Sequence, residues 1–448
     1  MTALQSQGTS IRIRSGGEAL VAQAEALSGE SHSGTGNNLR NANGRRKRIY
    51  FFGHFGSPNF GNEITIQTIL YHLKRLLPQA DVACICTYPK SFAAHQNVKA
   101  IPISRTFGKP WNLRTRLAKL LRKIFIAVPS ELWRWLDAFK TLKGTDVLII
   151  PGTGLLTDAY GLRGWGPYNL FKWSLIAKLS GCEVQFVSVG AGPIYSTFGR
   201  YFVKSALSMA DFRSYRDHAS MAYLTRIGFR TNSDRVFPDL VFSLPKSMLP
   251  RDGDGRSKRS IVGIGLMPYA GKYSIAKPSD TTYQEYLKSL VTFAQWLLVR
   301  GYDVRLLIGE VSDRTASEDF KSMLKPSLGD YDEDRIIDQP AGSVEELLPQ
   351  IMATDVVVAT RFHNIVLALL LNKPVISISF HHKCASLMKE MGLSDYCQDI
   401  SHIDGDRLIE QFQGLQRSAH KLKSLISQRV EQSRKALDEQ YSLIFKDI

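Results

Sequence analysis

Residues 355–380 contain the pattern that most limits the folds open to this chain. The β-branched run Asp355–Val358 has the length of a buried strand, and the apolar stretch 365–372 has the length of a short buried helix. Lys373-Pro374 ends that helix, and residues 375–380 form a second predicted strand. A buried strand, a helix and another buried strand in this order indicate a parallel β-α-β unit of an α/β fold.

Arg361 and His363 stand between the first of these strands and the helix. In open parallel sheets, ligands bind outside the carboxyl ends of the strands, where a helix N-terminus attracts anions. A cation and a titratable imidazole at this position therefore predict a site for an anionic, phosphorylated ligand.

The same alternation of strands and helices extends over most of the chain. It covers residues 49–245 and restarts over 261–405, with a polar, glycine-bearing linker predicted at 246–260. We therefore expect two Rossmann-like, doubly wound domains that face a cleft. Residues 406–448 are predicted to be helical and to pack across both domains. Residues 1–48 lack apolar periodicity and end in basic side chains, so we expect them to be disordered.

Composition narrows the class of protein. The 57 Lys and Arg residues exceed the 41 Asp and Glu residues, which gives a net charge of +16 and indicates an acidic partner or substrate. The five cysteines show no Cys-x-x-Cys spacing, so we expect free thiols, no metal, no cofactor and a cytoplasmic protein. Specific nucleic-acid binding is disfavoured, because the basic residues are not interleaved with aromatic ones as in a single-strand groove.

A basic amphipathic helix is predicted at 111–126, inside a strongly positive region. Between Ser104 and Gly144 there are ten Lys and Arg residues and two acidic ones. Such a helix suits an anionic membrane surface, peripheral on the inner face of the cytoplasmic membrane. It is equally compatible with a surface helix that packs on the sheet and keeps a solvated basic face. The sequence leaves both interpretations open.

Glycine-bearing turns follow three predicted strands of the first domain. All three lie at the carboxyl edge of the predicted sheet, where backbone can approach a ligand closely. They would line the same wall of the cleft. The turn residues that we expect to contact substrate are Asn59, Gly61, Asn62, Gly152, Gly154, Gly190 and Gly192.

Charged side chains stand at the ends of three further predicted strands. Arg216 closes the strand 212–215, and it either points into the cleft or pairs with a nearby acid. Asp239 belongs to a strand predicted at 236–240, and its role is either functional or structural. Lys383 follows the strand after Arg361 and His363, so all three side chains can meet in space.

Short segments between Tyr50 and Asp399 carry these turns and charges. In chain order they are Gly56 with Asn59–Glu63, Pro151–Asp158, Val189–Pro193, Tyr215–Asp217 with Ser220, Phe237–Asp239, Arg361–His363 and Ser379–Lys383. Together they resemble the polysaccharide pyruvyl transferase family. Two positions depart from its usual pattern: Asn62 occupies a common aspartate position, and Thr153 interrupts a common run of three glycines.

The resemblance implies two Rossmann-like domains in a GT-B-like arrangement and a specific chemistry. Such enzymes move the enolpyruvyl group of phosphoenolpyruvate onto two hydroxyls of one sugar, which gives a cyclic ketal in surface or exopolysaccharide biosynthesis. We expect the acceptor to be a lipid-linked saccharide.

Roles for individual residues follow from that chemistry. Arg216, Arg361 and Lys383 would bind the phosphate and carboxylate of the donor. His363 would protonate the methylene carbon, and we expect a neighbouring phosphate to keep it protonated. Glu63 or Asp158 would accept the proton of the attacking hydroxyl. The alternative function is a GT-B sugar-nucleotide-dependent glycosyltransferase, in which Arg361 and Lys383 would bind a diphosphate.

Overall fold

A computed structural model of the protein describes residues 45–105, 126–158, 166–250, 259–269, 281–327 and 333–446. These residues form two parallel sheets with helices on their faces, as predicted. None of the helices in the described ranges combines the length and the apolar character that crossing a bilayer requires.

The first sheet has the strand order β3-β2-β1-β4-β5-β6-β7, and all of its pairings are parallel. Its central strands are buried on both faces, which explains their continuous apolar sequences. The strands are β1 Arg48–Gly53, β2 Asp81–Cys86, β3 Lys99–Pro102, β4 Val147–Pro151, β5 Glu183–Val189, β6 Phe212–Tyr215 and β7 Arg235–Val236. The helices are α1 Phe60–Leu76, α2 Pro89–His95, α3 Val128–Leu142, α4 Gly166–Leu179, α5 Thr197–Ser208 and α6 His218–Arg226.

The second sheet repeats this design, with the order β10-β9-β8-β11-β12-β13. In both sheets the strand order reverses at one point, between β1 and β4 and between β8 and β11. Those switch points are where ligands enter open α/β sheets. The strands are β8 Ile261–Gly265, β9 Asp303–Leu307, β10 Ile336–Ile337, β11 Val356–Ala359, β12 Val375–Ser379 and β13 Cys397–Asp399. The helices are α7 Thr281–Val299, α8 Arg314–Leu324, α9 Val344–Met352, α10 Phe362–Leu370, α11 His382–Glu390, α12 Gly405–Arg417 and α13 Ala419–Phe445.

One predicted strand is wrong over most of its length. We expected a strand at 236–240, but β7 ends at Val236 and residues Leu240–Ser243 form a 3₁₀ helix. The side chain of Asp239 accepts a hydrogen bond from the Val241 N–H and so caps that helix. Pro238, which has no N–H to donate, does not continue the ladder.

Two predicted segments lie wholly or mostly outside the described ranges. For the basic helix at 111–126, only Ile126 is described, and of the segment 1–48 only the last four residues are. Arg45 forms an ion pair with Asp146, with Nη2 and Oδ1 3.3 Å apart, and β1 begins at Arg48. The basic end of that segment therefore lies against the first sheet.

Helix α13 connects the second domain back to the first. The Gln440 amide is fully buried; it accepts a hydrogen bond from the Ser188 hydroxyl at 3.0 Å and donates one to the Ser214 hydroxyl at 2.7 Å. Nearby, the Tyr441 ring stacks on His72 with centroids 4.3 Å apart. These contacts hold the end of the chain against β5, β6 and α1 and so limit relative movement of the domains.

Gln440→Met should lower the free energy of unfolding by about 2 kcal/mol, because it keeps the side-chain volume but leaves two buried hydroxyls without their partner. Urea unfolding followed by circular dichroism measures the change. Glu439→Gln is the matched control, because the neighbouring Glu439 makes only an exposed ion pair with Arg235; we expect it to have almost no effect. Equal stability of the two variants would contradict the assigned role of Gln440.

Candidate functional site

The carboxyl ends of β5 and β6 in the first domain face those of β11 and β12 in the second. Helix α10 begins at Phe362, directly after β11, and its N-cap residue Arg361 contributes no side-chain cap. The N-terminus of this helix carries a partial positive charge, which favours an anion. Around it the structure gathers His363, Arg216 and Lys383, three of the predicted site residues.

Arg361 is engaged by two carboxylates rather than presented as an open anion contact. Its Nε lies 3.1 Å from both oxygens of the fully buried Asp313, its Nη2 lies 2.5 Å from Asp313 Oδ1, and its Nη1 lies 3.1 Å from Glu310 Oε2. The expected contact between Arg361 and the donor stays a prediction. Its charge is balanced within the second domain, and the pair fixes the start of α10.

His363 lies at the contact between the two domains. A Cβ on Gly61 would stand 1.8 Å from His363 Nδ1, so the imidazole occupies the space that a side chain at position 61 would fill. The Nε2 atom is buried and has no hydrogen-bond partner among the described residues. The ring therefore has one nitrogen held against the first domain and the other available to a ligand.

The protonation state of His363 differs between the ligand-free protein and the expected donor complex. Without a ligand, burial and then the charges of Lys383, Arg216 and Arg361 lower its pKa well below the ordinary value of 6.5, and the effect expected of a neighbouring phosphate stays a prediction. Desolvation and like charges both disfavour the charged form. In the ligand-free protein His363 is therefore neutral near pH 7.

Arg216 comes from the first domain and reaches across to the second. A Cβ on Gly190 would lie 2.6 Å from Arg216 Nη2, so this glycine provides the surface on which the guanidinium rests. The guanidinium also stacks over the Phe362 ring, 4.7 Å from its centroid, and lies 3.4 Å from Asp239 Oδ2 and 3.5 Å from Asp217 Oδ2. Both alternatives from the sequence thus hold, because Arg216 faces the cleft and is paired with acids.

Lys383 lies in the first turn of α11, beside Arg216. Its Nζ is 5.4 Å from the Phe362 centroid and 5.3 Å from the Phe380 centroid. Burial and then the charge of Arg216 lower its pKa to about 8. An ammonium group in this environment gains from any anion that binds beside it.

Asp239 balances part of this positive charge. It is buried, and the loss of hydration raises its pKa, whereas Arg216, the Val241 N–H and Lys383 lower it. Its hydrogen bond to the Val241 N–H fixes the carboxylate in place. Asp239 therefore orients Arg216 as well as capping a helix.

The two predicted proton acceptors both hold loops. Glu63 accepts hydrogen bonds from the Gly56 N–H at 2.8 Å and the Ser57 N–H, and burial raises its pKa to about 7. Asp158 accepts from the Tyr195 and Ser196 N–H groups and from the Ser196 hydroxyl, at 2.6–2.8 Å. Their carboxylates therefore hold backbone in place, and the expected role of each as a base stays a prediction.

The remaining predicted turn residues shape the wall opposite α10. Asn59 caps α1 and its amide donates to Glu310 Oε2 at 3.3 Å, which joins the two domains. Asn62 donates to the His54 carbonyl, so it holds its own loop. Gly152 packs against the Ser188 carbonyl, and Gly192 has a φ of +84° and precedes a cis proline. Gly154 has no atom within 4 Å of its Cβ position, so it forms the open part of this wall.

Three site residues were not found from the sequence. Glu310 and Asp313 hold Arg361, and Asn364 lies in the first turn of α10 with both amide atoms buried and without a partner among the described residues. The Asn364 amide is sandwiched between Gly265 and Gly309. Those two glycines, one ending β8 and one shortly after β9, are the sequence signal that marks its position.

The fold resembles several solved enzymes. A putative UDP-N-acetylglucosamine 2-epimerase from Listeria monocytogenes aligns with a TM-score of 0.57 at 10% identity, covering 85% of this chain and 91% of the other. A glycosyltransferase from Rickettsia africae aligns with a TM-score of 0.51 at 11% identity, covering 90% and 99%. At these identities the likeness concerns the fold alone, which is GT-B-like.

Sequence relatives give the family. The profile of the polysaccharide pyruvyl transferases matches residues 59–382, which include most of the site described above. The amylovoran biosynthesis protein AmsJ of Erwinia amylovora is 21% identical over 416 residues, covering 86% of this chain and 96% of the relative. The chain belongs to the polysaccharide pyruvyl transferase family, as its motifs predicted, and is a transferase.

Gly190→Ala should weaken anion binding while the fold is kept, because the new methyl group displaces the flexible end of Arg216. Loss of a charge-assisted hydrogen bond predicts an affinity for an anion, probed with inorganic phosphate, that is about 10–100-fold lower, measured by calorimetry. Gly414→Ala in α12 is the matched control, since its Cβ would meet Arg417 Nη2 at an ordinary contact distance of 3.8 Å. Equal affinities for the two variants would show that anion binding does not depend on the position of the Arg216 guanidinium against Gly190.

Proposed function

We propose that the protein transfers the enolpyruvyl group of phosphoenolpyruvate to a saccharide and forms a pyruvate ketal during surface or exopolysaccharide biosynthesis. The observation that carries this proposal is the cluster of Arg216, Lys383 and His363 around the start of α10. It combines two cations with a buried imidazole whose Nε2 is unpartnered among the described residues. The name of the amylovoran relative supports the polysaccharide context.

The charges suit a donor with both a phosphate and a carboxylate. Arg216 and Lys383 come from opposite domains and lie on the same aromatic ring, Phe362. With the N-terminus of α10, they offer an anion both full charges and backbone dipoles. A donor held between them would also draw the domains together. Arg361, paired with Asp313, acts by positioning α10.

Donor binding would also prepare His363 for acid catalysis. Without ligand, the nearby cations and burial lower the pKa of the imidazole. An anionic donor beside Arg216 and Lys383 offsets those charges and raises that pKa again. The imidazole thus takes up its proton when the donor is present and can deliver it to the methylene carbon.

The proposed reaction conserves atoms and charge. His363 adds a proton to the methylene carbon, the adjacent carbon becomes electrophilic, and one sugar hydroxyl attacks it. A second hydroxyl attacks the same carbon while the carbon–phosphate oxygen bond breaks. Of the two hydroxyl protons, one replaces the proton taken from His363 and the other leaves with phosphate. Arg216 and Lys383 stabilise the charge on the departing phosphate.

His363→Ala should abolish saccharide-dependent phosphate release from phosphoenolpyruvate, with a fall of at least about 100-fold, and leave donor affinity largely intact. The assay uses the full chain, phosphoenolpyruvate and a panel of lipid-linked oligosaccharides. His402→Ala, at an exposed histidine, is the control. A near-normal rate would remove His363 from the acid role. Release of nucleotide from a UDP-sugar instead of phosphate would favour the glycosyltransferase alternative.

We further propose that a lipid-linked acceptor is reached at an anionic membrane surface. The exposed face of α3 supports this, because Leu132 and Leu136 are 63% and 61% exposed and Phe139 continues the same face. Most monomeric proteins do not leave such an apolar helix face in water. The surrounding sequence is strongly basic, which suits acidic lipid headgroups.

The double variant Leu132→Ser, Leu136→Ser should bind phosphatidylglycerol-containing vesicles about tenfold or more weakly than the wild type, since both side chains lose their transfer into the lipid interface. Co-sedimentation measures binding, with pure phosphatidylcholine vesicles testing the contribution of lipid charge. Val299→Ser alters an equally exposed apolar residue in the second domain and serves as control. Binding that the double variant keeps in full would exclude α3 from a membrane contact.

A further inference from the structure

A cavity of about 200 Å³ opens beside the cluster of cations and extends beyond the groups assigned to the donor. Its inner wall consists of Arg216, Asp239, Phe362 and Lys383, so any molecule inside it would touch the donor site. Its outer wall comes from the far end of α11 and from α13, the helix that joins the domains. The residues of that outer wall are Leu387, Glu390, Met391, Arg429, Gln432 and Ser433.

The size and lining of the cavity suit one sugar ring. Its volume is below the roughly 300–1,000 Å³ of pockets for drug-sized ligands. The cavity is therefore too small for a nucleotide sugar. Leu387 and Met391 offer apolar surface to the C–H groups of a ring. Gln432 and Ser433 lie with Arg429 on one face of α13. Their side chains offer hydrogen-bonding groups to the hydroxyls of the ring. The lining carries Glu390, Asp217 and Asp239 as well as Arg216, Lys383 and Arg429, so its charges are balanced and a neutral sugar is compatible with it.

Glu390 differs from the other two carboxylates of the lining. Asp217 caps α6 through the Ser220 N–H and lies beside Arg216, and Asp239 lies beside Arg216 and caps the 3₁₀ helix. The hydrogen bond seen for Glu390 comes from the Ser386 hydroxyl of its own helix, at 3.3 Å. Its carboxylate thus keeps capacity to accept a proton from a ligand.

We propose that this cavity binds the sugar that receives the enolpyruvyl group, and that Glu390 accepts the proton of the attacking hydroxyl. The inference rests on the proposed pyruvyl transfer and assigns its missing base, since Glu63 and Asp158 are both used by loop backbone. The oxygen–hydrogen bond of the sugar breaks, its proton passes to Glu390 and from there to the departing phosphate, and the oxygen bonds to the carbon that His363 has made electrophilic.

The electrostatics agree with this role. Partial burial and then the nearby Asp217 carboxylate raise the pKa of Glu390 to about 7. A base with a pKa near the working pH combines a large deprotonated fraction with a real affinity for the proton. Glu390 must be deprotonated to act, so the rate should fall as the pH drops below about 7.

Glu390→Gln tests the base. With phosphoenolpyruvate and the saccharide that supports phosphate release, we expect kcat to fall about 10²–10⁴-fold and the acid limb of the pH profile to disappear. The affinity for phosphoenolpyruvate should stay within about twofold. Glu410→Gln, at an exposed position of α12, is the matched control. A variant that keeps both its rate and its acid limb would overturn the assignment of Glu390.

Ser433→Leu tests the cavity itself, because the larger side chain fills the wall at a buried position. We expect the acceptor KM to rise about tenfold or more, with unchanged phosphoenolpyruvate affinity and a native circular dichroism spectrum. Glu431→Leu, on the exposed side of the same helix, is the control. An unchanged acceptor KM in the Ser433 variant would place the sugar elsewhere.

Failure of the proposed pyruvyl transfer can be distinguished from failure of the proposed sugar site. If the wild type releases no phosphate from phosphoenolpyruvate with any saccharide, pyruvyl transfer is refuted. Hydrogen exchange in the presence of methyl galactoside and methyl glucoside then decides on the cavity. Slower exchange at residues 386–391 and 429–433 in the wild type, lost in the Ser433 variant, would support a sugar site. Unchanged exchange would overturn it.

Discussion

The candidate site depends on a direct contact between the two domains at Gly61 and His363. No side chain larger than hydrogen is compatible with the imidazole there, because a Cβ at position 61 would overlap its Nδ1. Hydrogen bonds between the adjoining loops reinforce this contact, from the Phe60 N–H to the Gly309 carbonyl at 3.1 Å and from Asn59 to Glu310. The ring that we assign as proton donor is therefore positioned by both domains.

Acidic residues determine which cations remain available to a ligand. Asp313 and Glu310 neutralise Arg361, whereas Arg216 interacts with Asp217 and Asp239 at 3.4–3.5 Å and also stacks on Phe362. Lys383 contacts aromatic rings of its own domain. The Arg361–Asp313 ion pair thus fixes the start of α10, whereas Arg216 and Lys383 face the cavity. The site therefore combines a fixed helix start with positive charge that can bind an anion.

The fold was largely predictable from the sequence because buried parallel strands have continuous apolar runs, as at 147–151 and 356–359. That Arg216, His363 and Lys383 lie near one another was predictable because they follow such strands. The contacts of Glu63 and Asp158 with backbone N–H groups were not predictable, since only tertiary packing brings those groups to the carboxylates. Asp313 and Glu390 come from the start of α8 and the end of α11, and only tertiary packing brings them to Arg361 and the cavity.

The positive charge of the ligand-free site bears on the order in which donor and acceptor bind. Arg216 and Lys383 lie together on Phe362; burial, and then the like charges gathered here, lower the pKa of Lys383 to about 8 and that of His363 well below its ordinary value. In the proposed reaction an anionic donor offsets these like charges and so raises the pKa of His363. Protonation and donor binding are therefore coupled by one electrostatic interaction. In the proposed reaction, an acceptor sugar that arrived first would meet a neutral imidazole, so we propose a donor-first sequence in which acid catalysis becomes available once phosphoenolpyruvate is in place.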